Sequence, residues 1–199
     1  MARIAPLATP VNAEIEKAFE GLKRHLGFVP NSVLILQRRP QILFALGQML
    51  AACWAPDSTV DAGFKRLVSY MASHAAGCQY CVAHQVSGAL HLDVEEQKLA
   101  AIWDYERSPL YSDKERAALD YARAAACVPN EVTDAHFDRL KAHWTDDEIV
   151  ELTGVISLFG FLNRFNDSLA TPLEPEAITD AERILGRTRW SPGKHAGAG

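Results

Sequence analysis

The chain has 199 residues, 48% of them hydrophobic and 23% charged, with a formal net charge of -5. That length and apolar content suffice for a sizeable core, and the negative balance argues against nucleic acid or an anionic membrane surface as the main partner. No stretch approaches the roughly 18 uninterrupted apolar residues of a membrane span and the first residues hold no apolar signal core, so a cytoplasmic protein is expected.

Taken in order, residues 1–10 are rich in Ala and Pro and are expected to be loosely held. Asn12 can cap a helix whose apolar positions Ile15, Phe19 and Leu22 recur at helical spacing, and the helix should stop near Gly27. Pro30, Asn31 and Ser32 mark a turn before a short helix over 33–38. Pro40 opens a third helix to about residue 54, with Ile42, Leu43, Leu46 and Leu50 as its buried stripe. Ser58 or Thr59 can cap a long helix running to about Ala76, where Gly77 ends it. A new helix then begins at Cys78 and runs to about His91, and Asp93 caps a further one over 94–103.

Ser112 and Glu115 have the spacing of a capping box opening a helix through Ala118, Leu119, Ala122 and Ala125, and Pro129 breaks it. Thr133 starts the next helix, with Phe137 and Leu140 inward. Thr145 and Glu148 form a second capping box before residues 149–165, a run apolar on nearly all sides that reads as a central buried helix or an oligomer contact. The β-branched residues are scattered and no alternating strand stands out. The expected fold is therefore all-α, a single multi-helix bundle over 1–199 with its core at about 20–175. A capped helix, a break and a buried helix recur at 58–90 and 133–168, a pattern of duplicated helical hairpins. After Trp190 the residues up to 199 are expected to fray.

Chemistry concentrates in Gly77-Cys78-Gln79-Tyr80-Cys81-Val82-Ala83-His84-Gln85. At about 100° per residue, a helix there brings Cys78, Cys81 and Gln85 within roughly 60° of one face, with His84 on its shoulder. A thiol in the first turn gains from the helix dipole, so Cys78 is expected to be the more acidic one. Four cysteines are too few for a disulfide-stapled scaffold, and a CxxC in a reducing compartment is more often redox-active or metal-binding. A dithiol can reduce a disulfide or a peroxide and close to a disulfide. A zinc site would need Cys53, Cys127 or a histidine to complete it, and buried inert thiols are the remaining reading. His84 can hydrogen-bond a thiol or relay a proton, or can simply lie on the helix surface. Tyr80 can present its hydroxyl to the site or pack.

Together with the preceding Lys65-Arg66-Leu67-Val68-Ser69-Tyr70-Met71-Ala72-Ser73, the cysteine segment resembles the core of the alkylhydroperoxidase D and carboxymuconolactone decarboxylase superfamily. The peroxidase-related branch is resembled further in Gly27-Phe28-Val29-Pro30-Asn31, Glu115-Arg116-Ala117-Ala118-Leu119 and Asn163-Arg164-Phe165-Asn166. The resemblance implies an all-helical homo-oligomer that reduces small organic hydroperoxides without a cofactor or metal, restored by a thiol or dithiol reductant. It implies Cys81 as the attacking thiol and Cys78 as the resolving one. The chain departs from the family's proton relay at two positions: Arg66 stands where the family has a glutamate and Gln85 where it has a histidine. A glutamine cannot exchange a proton near neutral pH. His84 could substitute for the missing histidine, and Arg66 could stabilise a thiolate by charge. A redox switch or assembly protein without peroxidase turnover is the alternative, and a decarboxylase a weaker one, because decarboxylases of the family do not need the thiol pair.

Overall fold

The structure, a computed structural model, describes residues 2–186 and 189–197. Among them are ten α-helices, two 3-10 turns and no strand, so the all-α expectation holds. The helices are α1 (Ala13–Leu26), α2 (Asn31–Leu36), α3 (Pro40–Cys53), α4 (Ala62–Ala75), α5 (Gln79–Leu90), α6 (Glu96–Ala100), α7 (Asp113–Ala126), α8 (Asp134–Lys141), α9 (Asp146–Leu169) and α10 (Pro175–Leu185).

Local capping chemistry explains most of the boundaries. The Asn12 side chain accepts from the Ile15 N–H at 2.9 Å, and Ser112–Glu115 and Thr145–Glu148 close reciprocal capping boxes. Helix α2 begins at Asn31, inside the expected turn, and two further boundaries differ from expectation. Asp61 caps α4, accepting from the Phe64 N–H at 2.7 Å, because the Ser58 hydroxyl is drawn instead to the buried Lys65 and Glu151 pair. Asp93 takes a left-handed φ of 56°, which delays the next helix to Glu96 and leaves only a short helix and a 3-10 turn, Ala101–Asp104.

Helix α4 is the hub, packed against α5, α7 and α9, with a nearly continuous buried row from Phe64 to Ser73. Helix α9 is buried along Ile149, Leu152, Val155, Leu158 and Phe159, as its apolarity predicts. Helix α3 behaves differently. Leu46 and Leu50 lean on the core, yet none of its residues is fully buried, and Ile42 and Met49 are each 42% exposed. Phe137, expected inward beside Leu140, lies partly exposed against Tyr121, whereas Leu140 is buried.

The C-terminal third shapes the site. Helix α9 stops at Ala170, whose φ of 48° turns the chain back toward α5, and α10, which the sequence reading did not anticipate, then packs against α5. Trp190 is buried. The stretch beyond it was expected to fray; instead a 3-10 turn, Gly193–His195, puts His195 in the interior, and the His195 carbonyl accepts from the Leu173 N–H at 2.8 Å. Residues 198–199 lie outside the described residues. The N-terminal stretch is tied as well, by Arg3 N–H to the Leu169 carbonyl and Leu7 N–H to the Leu34 carbonyl. Among the described residues no helix is long and apolar enough to cross a membrane.

Candidate functional site

The α4–α5 junction places the thiols. Gly77 adopts a left-handed φ of 75°, a conformation open to a residue without a Cβ, and the Cys78 N–H bonds back to the Ser73 carbonyl at 3.0 Å. Cys78 is thereby held at the N-cap of α5, where its sulfur accepts from the Cys81 N–H at 3.3 Å. The thiol occupies the place of a capping hydroxyl, at the positive end of the helix. Both thiols are buried. Burial pushes the Cys81 thiol well up, and the adjoining Cys78 sulfur acts in the same direction, against the amide of Asn166, whose nitrogen lies 3.7 Å from the Cys81 sulfur.

The other expected site residues separate into two groups. His84 and Tyr80 meet at Glu174, which stands at the start of α10. His84 Nε2 lies 2.7 Å from one carboxylate oxygen, while the other accepts from the Tyr80 hydroxyl at 3.2 Å and the Asn31 N–H at 2.5 Å. The Tyr80 oxygen in turn accepts from the Ser32 N–H. Burial would raise Glu174, but His84 and the Asn31 N–H outweigh it and hold the carboxyl below its ordinary value. Among the described residues no hydrogen bond joins His84 to either sulfur.

Arg66 and Gln85 form the second group. The guanidinium donates to the Gln85 side-chain oxygen at 3.1 Å and lies over the Trp54 ring at 4.6 Å. A Cβ on Gly88 would come within 3.0 Å of it, so the bare backbone there makes its room. Burial lowers Arg66 to about 10. The structure thus brings Cys78 and Cys81 together, and sets His84 and Arg66 apart in separate networks.

The sequence reading missed a third group, Asp167 near the end of α9 and His195 in the C-terminal turn. One oxygen or nitrogen of each lies within 4.8 Å of the other and of the Cys78 sulfur. His195 is 1% exposed, and its Nδ1 lies 2.8 Å from the Thr171 carbonyl. A carbonyl only accepts, so Nδ1 carries the proton of that bond. That Nε2 lies 3.5 Å from an Asp167 oxygen and has no hydrogen-bond partner. The Lys194 ammonium donates to the other Asp167 oxygen at 2.7 Å. Asp167 also lies on the wall of a groove of about 810 Å³ between the ends of α4, α7 and α9, with Asn163, Ile156 and Phe161 beside it. The one sequence signal for this region was the pair Asn163 and Asn166, two polar residues buried on an otherwise apolar face of α9.

An all-helical bundle with a dithiol at the start of a core helix defines a class, and the comparisons place the chain in it. Residues 40–124 match the carboxymuconolactone decarboxylase family. The protein YnjA of Escherichia coli (strain K12) is 32% identical over 152 residues, 76% of this chain and 84% of its own. The chain belongs to the carboxymuconolactone decarboxylase family, within the alkylhydroperoxidase D-like superfamily. Among solved structures, the debrominase Bmp8 superposes with a TM-score of 0.84 at 29% identity, covering 91% of this chain and 97% of that one. A cysteine-to-alanine variant of Bmp8 was solved with 2,3,4-tribromopyrrole. A peroxidase-related protein from Ralstonia eutropha JMP134 shares the fold, with a TM-score of 0.75 at 23% identity over 83% of this chain and 88% of its own.

Proposed function

We propose that the chain is a thiol-dependent oxidoreductase that reduces small organic hydroperoxides through a dithiol/disulfide cycle of Cys78 and Cys81. The observation that carries the reading is the Cys78 sulfur against the Cys81 N–H at 3.3 Å, two thiols within one turn at a helix N-terminus. The Cys81 sulfur attacks the terminal peroxide oxygen, the O–O bond breaks and the alcohol leaves with a proton. Cys78 then attacks the Cys81 sulfenic sulfur and water leaves, so two thiols are oxidised while the hydroperoxide is reduced. A thiol or dithiol reductant of a reducing cytoplasm restores the pair. Arg66 and Gln85 set the electrostatics, His84 and Tyr80 brace α5 through Glu174, and the groove beside Asp167 is the route by which a small apolar substrate approaches. The outward Ile42 and Met49 of α3 support a homo-oligomeric contact.

A second reading draws on the likeness to debrominase Bmp8. The same two thiols would replace a carbon–bromine bond with carbon–hydrogen, releasing bromide and closing the same disulfide. Reduced protein is mixed with a slight excess of cumene hydroperoxide or of 2,3,4-tribromopyrrole, and free thiols are counted. The expected result is rapid loss of two thiols per chain with the hydroperoxide, abolished in Cys81→Ser. Loss with the bromopyrrole alone would establish the second reading. If neither reagent reacts faster than with a free small thiol, the protein is a redox switch without turnover.

A further inference from the structure

We infer that Cys78, Asp167 and His195 form a binding site for one zinc-type divalent cation in the reduced protein. The three come from the N-cap of α5, the last turn of α9 and the C-terminal turn, and their donor atoms all lie within 4.8 Å of one another. Bonds of about 2.0–2.3 Å at tetrahedral angles put zinc ligands roughly 3.3–3.6 Å apart. His195 Nε2 and the Asp167 oxygen, at 3.5 Å, already have that spacing.

The histidine is the decisive member. Its Nε2 is buried and has no hydrogen-bond partner, so in the neutral ring its lone pair is free for a ligand. A metal-bound histidine usually gives its other ring N–H to a carbonyl or carboxylate, and Nδ1 does so to Thr171. The aspartate is oriented in the same way, with Lys194 holding the oxygen that faces away. One thiolate, one carboxylate and one neutral imidazole balance a double positive charge, which suits a buried ion. A soft sulfur beside an imidazole selects zinc over magnesium or calcium. The Cys81 sulfur is not within that distance of all three donors, so the fourth position falls to water or an outside ligand. Cys78 cannot ligate the ion and join a disulfide at once, so the loaded state shields the dithiol from oxidation; this last consequence alone rests on the peroxidase reading.

The test is metal binding, which needs no turnover. The reduced full chain is titrated with Co²⁺, read by the thiolate charge-transfer band and tetrahedral visible bands, and with Zn²⁺ against a chromophoric chelator. One ion per chain is expected, with Cys81→Ser within about threefold of the parent. His195→Gln and Asp167→Asn should each weaken binding by more than about 100-fold. His195→Cys, which restores a soft donor, should recover the cobalt spectrum with a stronger charge-transfer band, and it answers the question if His195→Gln fails to fold. Absence of a cobalt–thiolate band in the parent overturns the site. So does loss of binding in Cys81→Ser with His195→Gln unchanged, because the CxxC alone would then hold the ion.

Discussion

Two histidine–carboxylate pairs flank the first turns of α5, and they are built differently. At His84 and Glu174 every facing group is engaged: imidazole, tyrosine hydroxyl and an α2 N–H all meet one carboxylate. At His195 and Asp167 the two side chains stand 3.5 Å apart, and the histidine turns an unpartnered nitrogen toward the cluster with Cys78. A closed network of buried polar groups makes the fold rigid, whereas an open one holds binding capacity in reserve. The histidine nearer in sequence to the cysteines is thus tied into a closed network, whereas the distant one keeps a buried ring nitrogen without a hydrogen-bond partner.

The comparison breaks most sharply at Glu174. Glu174→Ala strands the Tyr80 hydroxyl, the Asn31 N–H and the His84 imidazole, and should cost about 3 kcal/mol. Urea unfolding measures it, and a change below about 1 kcal/mol would mean that water replaces the carboxylate freely. The acid limb is a gentler probe. Because Glu174 lies below its ordinary value when folded, its contribution is complete above an unfolded carboxyl pKa of about 4.3 and is lost as pH falls through the lower folded value. The stability gap between the parent and Glu174→Gln should therefore shrink as pH falls below about 4. A gap that is the same at pH 3 would show that the carboxylate acts by shape rather than by charge.

What was legible in the sequence was local. Asn12, Ser112 and Thr145 announce helix starts because a cap involves residues three apart, and the cysteines at the start of α5 follow from Gly77 and the CxxC spacing. Helix α3 shows where apolarity misleads: Ile42 and Met49 signal a preference for burial without saying against what, and within this chain they stay outside. The site was half legible for the same reason. The thiols are neighbours along one helix, but Asp167 and His195 reach Cys78 through the left-handed turn at Ala170 and the tail folded over Leu173. A glycine-rich tail has no periodicity to declare that it packs. The position after Cys81 where a histidine was sought holds Gln85, and its partner is Arg66, not sulfur.

The smallest expected effect concerns Lys194, and it sharpens the contrast between open and closed. Its ammonium and Asp167 are 44% and 33% exposed, against 20% and 8% for His84 and Glu174. A partly solvated pair gains little after ordering a long side chain, so Lys194→Met should cost less than about 1 kcal/mol. The methionine keeps the apolar stem, which isolates the charge. Raising the salt from 0.1 to 1 M shortens the screening length from about 10 to 3 Å, and the difference from the parent should vanish. The Glu174→Ala deficit should survive the same salt, because buried hydrogen bonds rather than long-range charge sustain it. If Lys194→Met kept its full deficit at 1 M salt, Lys194 would belong to the rigid frame, and the boundary between the two pairs would have to be drawn one residue closer to His195.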